Sequence, residues 1–204
     1  MKKKTYSLVV LFIFLLCNIL KAQVGIGTAT PSAQLTLETG KTNIAPLGLG
    51  NLDVAPTINL AGGQIAIIDN ELYFYNDTLG KWLSVATMPL IFARGGDTNN
   101  ENLSLGKVSN VNSGAIMPMN GTIVHVSAKG ANNSGTGNKR FNIRIRNNGT
   151  TVNSFNLDLN NDNFFNKTDY NFDFSVGDNI VVKKITNTST VNNPVVIVWV
   201  KWRK

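Results

Sequence analysis

Hydrophobic and polar residues alternate in short runs over residues 89–204, as they do in β-strands that bury one face. The clearest run is residues 139–146, where the hydrophobic residues share one face and arginine and asparagine occupy the other. Such runs recur at regular spacing between turn-forming residues, which is the rhythm of an antiparallel β-sandwich. The inward rows predicted from this alternation are Phe141, Ile143 and Ile145; Val124, Val126 and Ala128; and Tyr170, Phe172, Phe174 and Val176.

The register of one hairpin follows from its hydrophobic residues. The pair Asn148-Gly149 favours a turn, but a two-residue loop there would place a serine opposite Ile143. Shifting the pairing by one residue places Phe155 opposite Ile143 and keeps both on the buried face. We therefore predict a three-residue loop or a bulge within residues 150–153.

The final strand differs from the others because both of its faces are hydrophobic. Residues 195–200 read Val-Val-Ile-Val-Trp-Val, without a polar residue. A sandwich core covers only one face of such a strand, and the sequence predicts no spare helix to cover the other. We therefore predict that another copy of the chain covers Val195, Ile197 and Trp199, which makes the protein a homo-oligomer.

The N-terminal 22 residues have the pattern of a secretory signal peptide. Three lysines follow Met1, and residues 8–16 are an unbroken apolar run. This pattern predicts a secreted or cell-surface protein, in keeping with a bacterial envelope. No later segment is apolar and long enough to be predicted as a membrane-spanning helix.

Two segments separate the leader from the sandwich. Residues 23–62 alternate short apolar pairs with Gly, Pro and Thr, which indicates an extended stalk segment. Residues 63–88 predict a β-hairpin connector, and residues 89–204 form the predicted β-sandwich head, jelly-roll-like in type. The predicted fold class is therefore all-β. The residues expected to be buried in the hairpin are Leu72, Phe74 and Trp82.

Composition narrows the chemistry that this chain can perform. The net charge is +7, but four lysines lie in the leader; without them 15 basic residues face 12 acidic ones, a net charge of +3, so we expect no nucleic-acid partner. The one cysteine, Cys17, is also in the leader, and the chain has one histidine. This composition argues against disulfides, Cys/His zinc sites and thiol catalysis. We expect no enzymatic activity, no cofactor and no metal.

Two features of the head are candidates for ligand binding. Arg140, Arg144 and Arg146 share the outward face of their strand and could bind an anionic glycan, although a charged outer face also keeps a sandwich soluble. Asn132 and Asn133 lie in a polar loop of the kind that often carries recognition residues and that can equally be a plain turn.

Two other groups have alternative interpretations. Residues 158–163 read Asp-Leu-Asn-Asn-Asp-Asn and offer oxygen ligands, but they lack the Gly and Glu of an EF-hand, so a solvated turn and an irregular calcium site are both open. His125 has no carboxylate at a fixed spacing and is predicted to be a surface or interface residue.

Three segments carry a family resemblance. Residues 22–35 (AQVGIGTATPSAQL) resemble the VGIGTxxPxAxL segment of secreted bacterial fibre-like proteins and phage tail-fibre shafts, where it forms part of a trimeric β-structured stalk. Residues 63–82 resemble the strand-turn-strand unit that often follows it. Residues 174–180 (FSVGDNI) and the apolar last strand are similar to jelly-roll heads of the C1q/TNF-like and phage receptor-binding type.

The resemblance implies a homotrimer with the last strands near the shared axis and, because the stalk segment occurs once, a short stalk. We therefore expect a secreted, non-enzymatic, adhesin-like or fibre protein whose head binds a surface glycan, with avidity supplied by the trimer. The alternative is a purely structural envelope or matrix component without a specific ligand.

Overall fold

The computed structural model describes residues 24–26, 35–37, 42–106, 115–134, 139–159, 163–185 and 189–204. The predicted signal peptide lies outside these residues. The chain divides into two compact units, residues 1–49 and residues 50–204. In the first unit, β1 (Val24–Ile26) and β2 (Leu35–Leu37) pair in parallel.

A small four-stranded sheet opens the second unit. Its strands are β3 (Asn51–Leu52), β4 (Ile65–Ile68), β5 (Glu71–Asn76) and β6 (Lys81–Ser84), in that order across the sheet. Strands β4, β5 and β6 pair antiparallel, which confirms the strand-turn-strand pattern predicted for residues 63–88, while β3 adds to β4 in parallel.

The residues buried in this small sheet differ from the predicted set. Tyr75 lies opposite Trp82, so the face that carries Trp82 also carries Tyr73, which is fully buried. Leu72 is on the other face and is 42% exposed. The prediction for Leu72 was wrong because β5 has hydrophobic residues on both faces, so its sequence does not reveal which face packs inward.

Nine strands form the head. They are β7 (Met88–Ala93), β8 (Asp97–Thr98), β9 (Ala115–Ile116), β10 (Gly121–Ser134), β11 (Arg140–Asn147), β12 (Thr150–Asp158), β13 (Phe164–Phe174), β14 (Asn179–Lys184) and β15 (Thr190–Trp202). One sheet has the order β13-β10-β15-β7, with β8 beside β15, and the other has the order β12-β11-β14-β9. All neighbours pair antiparallel, and the two sheets enclose one hydrophobic core. The predicted all-β, sandwich-like head is confirmed, and eight of its strands in two four-stranded sheets match the jelly-roll description.

The predicted register of the β11–β12 hairpin is confirmed. Ile143 lies opposite Phe155, and Phe141 lies opposite Leu157. The pairing is irregular after Ile145, so one extra residue of β12 is accommodated within the predicted 150–153 segment. This bulge allows the hairpin to keep its favoured turn and its buried hydrophobic face together.

Two of the predicted inward residues are misplaced. A register shift between Ile123 and His125 moves the inward position to Ile123, which is fully buried, and leaves Val124 partly exposed. Val176 follows the end of β13 in a turn and is 60% exposed. Strict alternation fails at both places, because it ends at a bulge and at the end of a strand.

In the part of the chain that the structure describes, no helix is long and apolar enough to cross a membrane.

Candidate functional site

The outward row of β11 carries the three arginines that the sequence marks as candidates. Their strand alternates between buried hydrophobic residues and partly exposed polar ones. Arg140 forms a two-pronged ion pair with Asp158 of β12, with Nε at 2.8 Å from Oδ1 and Nη2 at 2.7 Å from Oδ2. The hydrogen bond and the charge of Asp158 raise the pKa of Arg140 further above its ordinary value.

The other two arginines also bond to neighbours on their own sheet. Arg144 Nε donates to Asn142 Oδ1, and Arg146 donates to the carbonyl of Gly149 and to Thr151. Burial, followed by the charge of Arg146, lowers the pKa of Arg144. The arginine face is therefore an ordered cationic surface whose donors are largely directed along the sheet.

The remaining polar candidates lie on β10 and at the end of β12. Asn132 and Asn133 lie in β10, whereas the sequence predicted a loop there, because β10 continues to Ser134 in pairing with β15. Their side chains lie outside the described residues, as do residues 135–138 and residues 160–162 of the calcium candidate. Within the described ranges, no group of three or more His, Cys, Asp or Glu residues could hold a metal ion. His125 is partly exposed and meets the ring of Trp199 edge-on, with centroids 6.2 Å apart.

A second candidate surface is the outer face of the sheet that contains β15. Strand β15 lies between β10 and β7, so it is an interior strand of its sheet. Val196, Val198 and Val200 point into the core and are fully buried. The intervening residues form the opposite face, as the two-sided hydrophobic pattern predicts.

We define the apolar face as Ile91, Phe164, Val195, Ile197 and Trp199. Ile91 pairs with Ile197 across β7 and β15. Ile91 is 52% exposed, Phe164 43% and Val195 37%. Phe164, Val195 and Ile197 surround a depression of about 90 Å³. The exposed hydrophobic residues of the apolar face therefore lie on β7, β13 and β15, and the intervening strand β10 contributes Ser127 and Lys129 to the same face.

Trp199 occupies the more covered end of the apolar face. Its indole N–H is shielded from solvent and has no acceptor among the described residues. The strand then continues into contacts with the small sheet: Lys201 Nζ donates to the carbonyls of Ser84 and Val85 at 2.8 and 2.9 Å. Of the three predicted interface residues, Val195 and Ile197 are thus nearer the exposed centre of the apolar face than Trp199 is.

A third surface is an open groove of about 930 Å³ beside the small sheet. Its lining includes residues 53–57, Tyr75, Trp82 and residues 118–120. Lys81, Arg203 and Lys204 also line it. Sequence reasoning missed this groove because its residues come from many separate segments, and only the packing of the small sheet against the head brings them together.

Asp173 of β13 connects the small sheet to the head. Its Oδ1 accepts from Lys81 Nζ at 2.5 Å and from Thr122 Oγ1 at 2.7 Å, and Arg203 Nε lies 3.7 Å away. Burial alone raises the pKa of Asp173, but the hydrogen bonds from Lys81 and Thr122 and the charge of Arg203 outweigh it and hold the pKa below its usual value.

We expect the substitution Asp173→Asn to lower the free energy of unfolding at pH 7 by about 1 kcal/mol, a modest value because the carboxylate is partly exposed to solvent. The native pKa is below the unfolded one, so the stabilisation is fully present above about pH 4 and is lost as the pH falls through the native pKa. Urea unfolding at pH 7, 4 and 3 should show the difference between the two proteins shrinking with acid. Asp53→Asn, at an exposed residue, is the control. A difference that stays constant down to pH 3 would contradict the ion-pair explanation.

No protein-family model, curated protein or solved structure matches the chain.

Proposed function

We propose that this protein is a secreted or cell-surface, non-enzymatic fibre or adhesin-like protein, assembled as a homotrimer, whose β-sandwich head binds a surface glycan. The observation that carries the proposal is the apolar face. The outer face of an antiparallel sheet that meets only water is normally polar, because exposed hydrophobic side chains gain nothing there and promote association.

A second copy of the chain is the occupant that fits the apolar face best. The face also carries one charged residue, Lys129, which lies between Phe164 and Val195 on the neighbouring strands. Copies related by rotation about one axis bury the same patch on every chain, which completes the assembly without leaving a hydrophobic end. Burial of Val195, Ile91 and Phe164 removes the largest exposed side chains of this face from water.

The oligomeric state tests this part of the proposal. Light scattering of the wild-type protein at micromolar concentration should give a mass of three chains, each of 22.1 kDa or somewhat less without the leader. The double variant Ile91→Asp/Ile197→Asp should give a single-chain mass, because each assembled copy would bury two unpaired carboxylates. Val152→Asp, which changes an exposed valine on β12 of the other sheet, should leave the mass unchanged. A wild-type protein with a single-chain mass would rule out the oligomer.

Repetition of the head would strengthen weak binding of a glycan. Three heads on one assembly convert weak single contacts into useful avidity, so a protein of this kind needs only a shallow site on each copy. A glycan array probed with the wild-type assembly should show binding that weakens as salt is added, since the available polar surfaces are cationic.

One observation favours the alternative of a purely structural component. The donors of Arg140 and Arg144 are directed to Asp158 and Asn142 of the same sheet, as expected for a face that meets only water. A blank array together with a trimeric mass would favour this alternative over ligand recognition.

A further inference from the structure

The groove beside the small sheet has the size and lining of a ligand site. Its volume of about 930 Å³ suits several sugar units, and its lining combines aromatic and proline surfaces with a few charged groups. The apolar contributors include Pro56, Tyr75, Trp82 and Pro118.

Direct hydrogen bonds hold the parts of the groove together. Trp82 Nε1 donates to the carbonyl of Pro56 at 2.9 Å, which ties two segments of the lining together. Asn120 accepts two bonds from the other side: its side chain from Val176 N at 3.0 Å and its carbonyl from Arg203 N at 3.0 Å. Because the walls are fixed by these contacts, a ligand would not have to order them on binding.

The charged residues of the groove favour an anion. Lys81, Arg203 and Lys204 line it, against the single carboxylate of Asp53. Lys81 and Lys204 form ion pairs at 2.5 Å with Asp173 and Asp69. Arg203 also forms an ion pair with Asp173, but its Nε lies 3.7 Å from Oδ1, too far for a hydrogen bond.

The surroundings of Arg203 leave part of its hydrogen-bonding capacity unused. Its Nε is shielded from solvent and has no hydrogen-bond partner among the described residues, while the side chain as a whole is 28% exposed. A partly desolvated guanidinium in this state favours a carboxylate acceptor, which forms short, charge-assisted hydrogen bonds with it.

We propose that the groove binds a carboxylated sugar, with the carboxylate at Arg203 and the apolar face of a sugar ring against Tyr75. This inference rests on the proposed glycan-binding function and assigns it a place and a ligand class. The arginine face is then a solvated surface, and each copy of the assembly presents one groove.

The test compares an oligogalacturonate tetrasaccharide with its methyl ester, which keeps the rings and removes the charges. We expect the full chain to bind the acid, and the ester or the variant Arg203→Gln to bind roughly tenfold more weakly or worse. Tyr75→Ala should also weaken binding. Lys167→Gln removes one positive charge outside the groove lining and is the matched control, and thermal unfolding checks that each variant is folded.

The possible outcomes distinguish failure of the groove proposal from failure of the proposed glycan-binding function. Binding of the acid that is lost in Arg203→Gln and kept in Lys167→Gln supports the groove. Binding that is kept in Arg203→Gln and lost in Arg144→Gln/Arg146→Gln overturns the groove and leaves a glycan-binding head. Equal binding of acid and ester, or binding of a tetraglutamate peptide as tight as that of the sugar acid, also overturns a carboxylated-sugar site. Failure of the wild-type protein to bind any sugar on a broad array removes the glycan function itself.

Discussion

Replacing Gly121 with alanine is expected to lower the free energy of unfolding by about 3 kcal/mol, the upper end of the usual cost of overpacking. Gly121 is the first residue of β10 and lies between Phe174 of β13 and Trp202 of β15. The two rings meet edge to face with centroids 6.3 Å apart. A Cβ on Gly121 would lie 2.3 Å from Cζ of Phe174 and 2.7 Å from the carbonyl oxygen of Lys201.

The added methyl group cannot be accommodated by moving one flexible side chain, because it meets both a buried ring and the backbone of the neighbouring strand. Thermal and urea unfolding of Gly121→Ala should show the loss, with a decrease in Tm of roughly 10 °C. Gly95→Ala is the matched control, since a Cβ there meets no atom within 4 Å, and it should change stability by less than about 0.5 kcal/mol.

A double-mutant comparison identifies the cause. In a Phe174→Leu background the ring atoms nearest the new methyl group are absent, so the added cost of Gly121→Ala should be smaller than in the wild type. An equal cost in both backgrounds would mean that the ring does not create the clash. It would leave the carbonyl of Lys201 as the obstacle.

The parts of the fold that were predictable from sequence are those where only one strand register buries all the hydrophobic residues. The pairing of Phe155 with Ile143 is such a case, because any other register exposes the hydrophobic residues. The placement of Val124 was not predictable, because a bulge near the start of β10 switches the inward face and Val124 itself is neither Gly nor Pro. Leu72 failed for a related reason: its strand is hydrophobic on both sides.

The candidate sites also divide into those that the sequence predicts and those that only the structure reveals. The outward row of Arg140, Arg144 and Arg146 was found from alternation alone, and so was the second hydrophobic face of β15. The ion pair of Arg140 with Asp158 depends on the register of two strands, and the groove depends on how the small sheet packs against the head. Neither leaves a local signal, since the residues involved are far apart in sequence.

Strand β15 connects the proposed assembly with the proposed ligand site. Its first half carries Val195 and Ile197 of the apolar face, and the residue that follows its last position is Arg203 of the groove. Association through the first half would therefore hold the grooves of neighbouring copies at fixed positions relative to one another. A rigid arrangement of sites suits a repetitive ligand such as a polysaccharide, because several sites can bind one chain at once.

Replacing Lys184 with alanine is expected to lower the free energy of unfolding by about 2–4 kcal/mol, as for other large buried side chains. Lys184 points inward from β14 and is fully buried, an unusual position for lysine. Its Nζ donates to the carbonyls of Ile185 at 2.8 Å and Ser189 at 3.2 Å, so it holds together the two ends of the segment between β14 and β15. Lys183→Ala, on the partly exposed face of the same strand, should cost less than about 0.5 kcal/mol.

The buried amine of Lys184 also predicts a pH dependence. Burial lowers its pKa, so between the native pKa and the unfolded value of about 10.4 the unfolded chain holds more protons than the native one. The contribution of this residue to stability therefore rises with pH in that window, because the cost of burying a charged amine disappears. Lys184→Met keeps most of the volume and removes the titration, so the stability of the wild type relative to Lys184→Met should increase from pH 7 to pH 10. A difference that stays flat with pH, or an alanine variant no less stable than Lys183→Ala, would show that the amine is not buried in the folded protein.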